Sequence, residues 1–172
     1  MSLGVASDTS YLRALAHPLR LRLLSLLTGV PMSAAEVARE LGLAHAAASY
    51  HLRQLLAAGL VEVAEERRNR GGRERVYRPV TTTRRPDDET VEARQVLTAA
   101  LVEELRRRAA LTDVGAPSTY ADAELWVADD VLVDVRDRVH EAMRLLHEAA
   151  RPPRTEGTRP VNATVALFGM TS

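Results

Sequence analysis

The stretch from Ser33 to Gly59, SAAEVARELGLAHAAASYHLRQLLAAG, constrains the fold more than any other part of the chain. Ser33 followed three residues later by Glu36 is a capping box: each side chain satisfies a backbone N–H that the start of a helix leaves open. A helix is therefore expected from here to about Leu41. Val37, Ala38 and Leu41 give it one apolar stripe, Gly42 suits the positive-φ position that ends a helix, and Leu43 can pin the turn to a core. A second helix is expected between Ala44 and Ala58. Ala48, Leu52, Leu55 and Leu56 fall at helical spacing on a buried face, and His45, Ala46, Ser49, Tyr50 and Arg53 lie elsewhere on its surface. Two helices joined by a short glycine-containing turn have the spacing of a helix-turn-helix. The small residues opening the second helix let it approach closely into a groove.

The next twenty residues narrow the choice of fold. Leu60 to Ala64 and Arg73 to Arg78 pattern as two short strands around the polar turn RRNRGG, where Gly71 and Gly72 supply permissive backbone. A helix-turn-helix joined directly to an arginine-tipped hairpin is a winged helix.

The run Leu15, Ala16, His17, Pro18, Leu19, Arg20, Leu21, Arg22, Leu23, Leu24 resembles the opening signature of the ArsR-type bacterial repressors. Val37, Ala38, Leu41 and Gly42, then Ser49, Tyr50, His51, Leu52, Leu55, Ala58, Gly59, Leu60 and Val61, resemble their reading head. The resemblance covers about Tyr11 to Val80. It implies a mainly α fold with a small β wing and a homodimeric transcriptional regulator, a repressor acting on a palindromic operator. Two departures stand out: Ala44 occupies the usual Ser or Thr cap position of the recognition helix, and the chain has no cysteine. Without cysteine there is no disulfide, no thiolate nucleophile and no Cys-ligated zinc, which removes the family's thiolate metal sensors from consideration.

The neutral net charge conceals an asymmetry. Residues 1–85 hold 13 Arg against 7 Asp or Glu, a net of +6, and residues 86–172 hold 10 Arg against 16 acids, a net of −6. The basic half carries the helix-turn-helix, which is the electrostatic footprint of nucleic-acid binding. Every basic residue is Arg, so phosphate contacts would be forked guanidinium contacts rather than ammonium point charges. His45, Ala46, Ser49, Tyr50 and Arg53 are accordingly expected to face a major groove. Arg67, Arg68, Arg70, Arg73 and Arg75 on the wing are expected to neutralise phosphates or enter a minor groove.

The 172 residues, 46% of them apolar, allow one domain or two small ones. The expected division is a winged helix-turn-helix over 8–80 and a C-terminal α/β dimerisation or sensing region over 87–170. Ser7 to Ala16 should form a first helix and Pro18 to about Leu27 a second, with His17 as a local cap or packing residue rather than a ligand, and Thr28 to Met32 as a turn. After the break TTTRRPDD, Asp87 or Asp88 can cap a long helix to about Leu111, with Val91, Leu97, Leu101 and Leu105 on one face. By resemblance that helix is the leading dimer interface, with Leu12 and Leu15 of the first helix packing beside it.

Beyond Thr112, Glu124 to Ala128 patterns as a strand, Asp130 to Ala150 as an amphipathic helix with Val131, Val135, Val139, Ala142 and Leu146 inward, and Val161 to Phe168 as a final strand. This strand, helix, strand unit reads first as an enlarged dimerisation element. As an effector pocket, it would offer Trp126 and Phe168 as large rings for a flat ligand. His140 and His147 are seven residues apart, about 10 Å along a helix, too far to share one ion without a partner chain, so no metal and no cofactor are expected. There is no phosphate loop, nucleophile elbow or paired carboxylate with a base, so no enzyme is expected. No apolar run is long enough to span a bilayer and no secretion signal opens the chain, so cytoplasmic residence is expected. The partners expected are double-stranded DNA, a second copy and an unknown small effector. The alternative is a winged-helix protein-interaction module that does not touch DNA.

Overall fold

The computed structural model describes residues 9–69, 72–80 and 90–170, the side chains of 9–11 and 69 excepted. In chain order the elements are α1 (Thr9–Leu15), α2 (Pro18–Gly29), β1 (Met32–Ser33), α3 (Ala34–Leu41), α4 (His45–Ala57), β2 (Val61–Asn69), β3 (Gly72–Pro79), α5 (Val91–Ala109) and α6 (Asp129–Ala149).

Local chemistry sets most of the N-terminal boundaries. Pro18 opens α2 at the position where a missing N–H costs nothing, and His17 caps it, its Nδ1 accepting from the Leu19 N–H at 3.2 Å. The capping box of α3 is complete. The Glu36 N–H donates to Ser33 Oγ at 3.3 Å, and the Ser33 N–H donates to Glu36 Oε2 at 2.7 Å. Gly42 takes φ 66°, and the Leu43 N–H returns to the Ala38 carbonyl at 2.8 Å, closing the helix as a glycine C-terminus requires. α4 begins at an extended Ala44 with no side-chain cap, as the departure at that position implies.

The sheet order is β1-β3-β2, all antiparallel. The two-residue strand β1 falls partly in the segment expected as a turn: Met32 pairs with Tyr77 and Ser33 with Val76, so Ser33 both joins the sheet and caps α3. The wing strands are longer than their apolar pattern suggests. They extend through the arginine-rich turn as far as Asn69↔Gly72, with an irregularity between Val63 and Glu65. The ladder continues there because cross-strand Glu–Arg pairs replace apolar ones. Arg70 and Gly71 lie outside the described residues, as do the linker 81–89 with Asp87 and Asp88, and residues 1–8.

Leu23 and Leu27 of α2, Val37 of α3, Leu52 and Leu55 of α4, Val61 and Val76 form the fully buried centre. α5 starts at Thr90, whose hydroxyl accepts from the Ala93 N–H at 3.2 Å, and lies across α1 and α2. It buries Ala93, Ala100 and Glu104 there. The apolar stripe expected on α5 is therefore divided: Leu97 and Leu101 are half-buried, and Val91 and Leu105 are exposed along with Val102. Leu12 is buried within its own chain and Leu15 half-buried.

The tail departs from expectation. Glu124–Ala128 and Val161–Phe168 form no strand, because neither finds a backbone partner within the described chain. α6 forms where the pattern placed it, but Val131, Val135, Ala142 and Leu146 are exposed and only Val139 of the expected inward stripe is half-buried. No residue of α6 is fully buried; its half-buried side carries Leu132, Arg136, Val139 and Met143. Its polar side is occupied with itself. Arg138 pairs with Asp134 at 2.9 Å, and Arg144 forks between Glu141 and Glu148, holding the Glu141 carboxyl below the usual range. The tail is tied to the domain by Arg154 Nη2 on Glu40 at 2.5 Å and by Arg108 Nη1 on Asn162 Oδ1 at 3.1 Å. Among the described residues no helix is long and apolar enough to cross a membrane.

Candidate nucleic-acid interface

Burial of Ala48, Leu52 and Leu55 fixes the rotation of α4 about its axis, and therefore what it presents outward. Ala46, Tyr50, Arg53 and Ala57 form one exposed stripe opposite the core, with His45 exposed at the first turn. The Arg53 guanidinium has no hydrogen-bond or ion-pair partner among the described residues, and small residues flank it, so it is free to fork onto an acceptor pair such as a guanine edge. Gln54 is exposed beside Tyr50 and belongs to the same surface, although the sequence pattern alone does not single it out. Its position four residues after Tyr50 is the signal that could have found it.

Ser49 is half-buried on the edge of α4 that faces the wing. With His45 it lines a groove of about 570 Å³ whose far wall is Glu66, Arg73, Arg75 and Tyr77. The register pairs Glu66 with Arg75 and Arg68 with Arg73, so these four side chains stand on one face of the hairpin. The wing arginines are not electrostatically equal. Glu66 Oε1 accepts from Arg75 Nε at 3.2 Å and its other oxygen stands 3.8 Å from Arg73; Arg67 pairs with Glu65 and stands 3.7 Å from Glu36; Arg78 Nε donates to Glu62 at 2.6 Å. Arg68 alone among the described wing arginines has no acidic partner. The structure thus brings together His45, Ser49, Arg73 and Arg75 around the groove, and places Ala46, Tyr50 and Arg53 on the adjoining helix stripe. Arg70 lies outside the described residues.

On the opposite edge of α4, His51 packs its ring against His17, with centroids 4.8 Å apart, and against Tyr50 edge-on at 5.1 Å. Burial first, and then the neighbouring His17 and Arg20, push the His51 imidazole below its ordinary value. Its Nδ1 and the Arg20 Nε are both buried without a partner among the described residues. The two histidines thus join the start of α2 to the recognition helix.

The two rings expected to line an effector pocket both lie on the surface. Trp126 is 88% and Phe168 59% exposed. Among the described residues no three His, Asp or Glu side chains gather as a ligand set for a metal ion.

No curated protein matches the chain. Residues 15–64, from α1 through the recognition helix into the wing, match the family model described as a helix-turn-helix domain. With a three-stranded wing beside a core-anchored recognition helix, that match supports a DNA-binding transcription regulator of the winged helix-turn-helix kind.

Proposed function

We propose that the chain is a cytoplasmic, non-catalytic transcriptional repressor of the ArsR type that binds a palindromic operator as a homodimer. The observation that carries this reading is the stripe Ala46, Tyr50 and Arg53, held outward by a fully buried opposite face and flanked by a wing whose Arg68 has no acidic partner among the described residues. A single head reads only a few base pairs, so specificity calls for two heads at a fixed separation, with half-sites about one helical turn apart. Val91, Val102 and Leu105 on α5 and the uncovered stripe of α6 supply apolar surface for a second copy, and Leu97 and Leu101 brace α5 on its own domain.

Selection of bound duplexes from a random pool, followed by gel shifts, tests the reading. Arg53→Ala should weaken binding to the selected site by about 1–3 kcal/mol and relax preference at one base position. Equal weakening on every duplex would reassign Arg53 to a phosphate. A wild-type chain that shifts no duplex even at low salt would favour the alternative, a winged-helix module for protein interaction.

A further inference from the structure

At the junction of α2, the end of α3 and the last turns of α5 lies a pocket of about 270 Å³ lined by Arg22, Ser25, Leu26, Leu41, Arg107 and Arg108. Its inner wall is built on a buried acid. The Glu104 side chain is 5% exposed; it accepts from Arg107 Nε at 3.1 Å and Nη2 at 2.9 Å, and from Arg108 Nε at 3.2 Å. A carboxylate removed from water requires such partners, and in return it locks both guanidiniums in place. Arg108 is fixed a second time by Asn162 through Nη1, which leaves Arg107 Nη1 and Arg108 Nη2 as donors without an acceptor among the described residues. Facing them from α2, Arg22 has no hydrogen-bond or ion-pair partner among the described residues. Glu40, beside Leu41, is already taken by Arg154. Three guanidiniums therefore stand at the pocket against the single carboxylate of Glu104, which engages two of them, and the pocket holds an excess of two positive charges over a floor of Leu26 and Leu41.

We propose that this pocket binds a small organic carboxylate, its head forked by Arg22 together with Arg107 and Arg108, its short apolar body against Leu26 and Leu41. The volume is just below the range of about 300–1,000 Å³ usual for larger ligands, which suits a compact molecule. Preorganised forks match the two oxygens of a carboxylate, and the leucines give an apolar body a reason to bind that a bare inorganic anion lacks. An occupant would link the winged domain, through α2 and α3, to α5 and, through Asn162, to the tail. For its consequence as an effector site this inference rests on the regulator reading; the binding itself does not.

Benzoate titrated into the full-length chain at fixed ionic strength, followed by calorimetry, is the test. Saturable binding of one benzoate per chain is expected, weakened at least tenfold by Arg22→Ala and unchanged by Arg159→Ala, which removes an exposed charge from the tail. No saturable binding, or equal losses in the two variants, overturns the site. Inorganic phosphate binding as tightly as benzoate overturns the carboxylate assignment. Because Arg22 makes no polar contact that the fold depends on, its loss should leave the unfolding midpoint in place, which circular dichroism checks in the same samples. A chain that shifts DNA but does not take benzoate refutes this inference alone; one that takes benzoate but shifts no DNA refutes the regulator reading alone.

Discussion

The winged domain and the tail both carry many apolar side chains but use them in opposite ways. From Leu12 to Tyr77, α2, α3, α4 and the sheet enclose Leu23, Leu27, Val37, Leu52, Leu55, Val61 and Val76 completely. From Thr112 to Met170 no described residue is buried, although Leu125, Trp126, Val127, the α6 stripe and Phe168 lie there. A 21-residue amphipathic helix whose charges pair among themselves, and none of whose residues is fully buried, is stable in water only marginally by itself. One region therefore encloses its apolar residues within the single chain, and the other leaves most of its own exposed. The domain's apolar residues specify its fold, and under the proposed function the tail's exposed ones are offered to a second copy.

Damage to each region in turn separates these two uses most sharply. Leu52→Ala removes a wholly buried side chain where α4 meets the core, and should destabilise the domain by about 2–5 kcal/mol in a denaturant titration. Leu146→Asp, on the exposed stripe of α6, should leave the same unfolding transition within about 0.5 kcal/mol. It should instead shift sedimentation from dimer toward monomer. Loss of domain stability in the α6 variant would mean that the tail packs on its own chain after all. A dimer indifferent to Leu146→Asp would move the association to the exposed Val91, Val102 and Leu105 of α5.

A more modest change probes the domain's dependence on local chemistry. Ser33→Ala takes away the hydroxyl that caps α3, and should cost about 0.5–2 kcal/mol with sedimentation unchanged. Replacing Ser33 by Thr, which keeps the capping oxygen, should recover most of the loss. Failure of that rescue would shift the weight to the β1 pairing with Val76.

How far each region is legible in the sequence depends on the same contrast. The capping box at Ser33 and Glu36, the left-handed Gly42 and the apolar stripe through Ala48, Leu52 and Leu55 are local signals, and the structure places each where the spacing puts it. β1 escapes a reading by pattern because two residues cannot show a period; Met32 and Ser33 become a strand only through Val76 and Tyr77, far along the chain. The wing strands look shorter in the sequence than they are, because alternation of Glu and Arg carries no hydrophobic period and their pairing is electrostatic. In the tail, the apolar ELWVA and the alternation in Val161–Phe168 report a capacity to pair, which depends on a partner strand that neither finds among the described residues. The candidate interface is legible on α4, where burial of one face dictates the other. On the wing the sequence names the arginines but not their rank, since which of them Glu62 and Glu66 hold across the hairpin depends on the strand register, which shifts between Val63 and Glu65.

The weakest dependence runs through His51, which ties the two ends of the domain together. Its imidazole lies below the ordinary value because burial, His17 and Arg20 all disfavour a second positive charge. The groups facing it are His17 and Arg20 on the α2 side and Tyr50 on its own helix. A histidine depressed in the folded chain takes up its proton more readily when unfolded, so its contribution to stability is complete above the unfolded value of about 6.5 and is lost as the pH falls through that value toward the folded one. Melting temperature should therefore drop between about pH 7 and pH 5 by more in the wild-type chain than in His51→Gln, which keeps a polar side chain but cannot be protonated. Every other titratable group is common to both chains, so the difference between the two melting curves isolates the imidazole. If the two chains lose stability in parallel, the His17 and His51 contact does not sense the proton, and α2 and α4 are joined by Leu23, Leu27 and Leu52 alone.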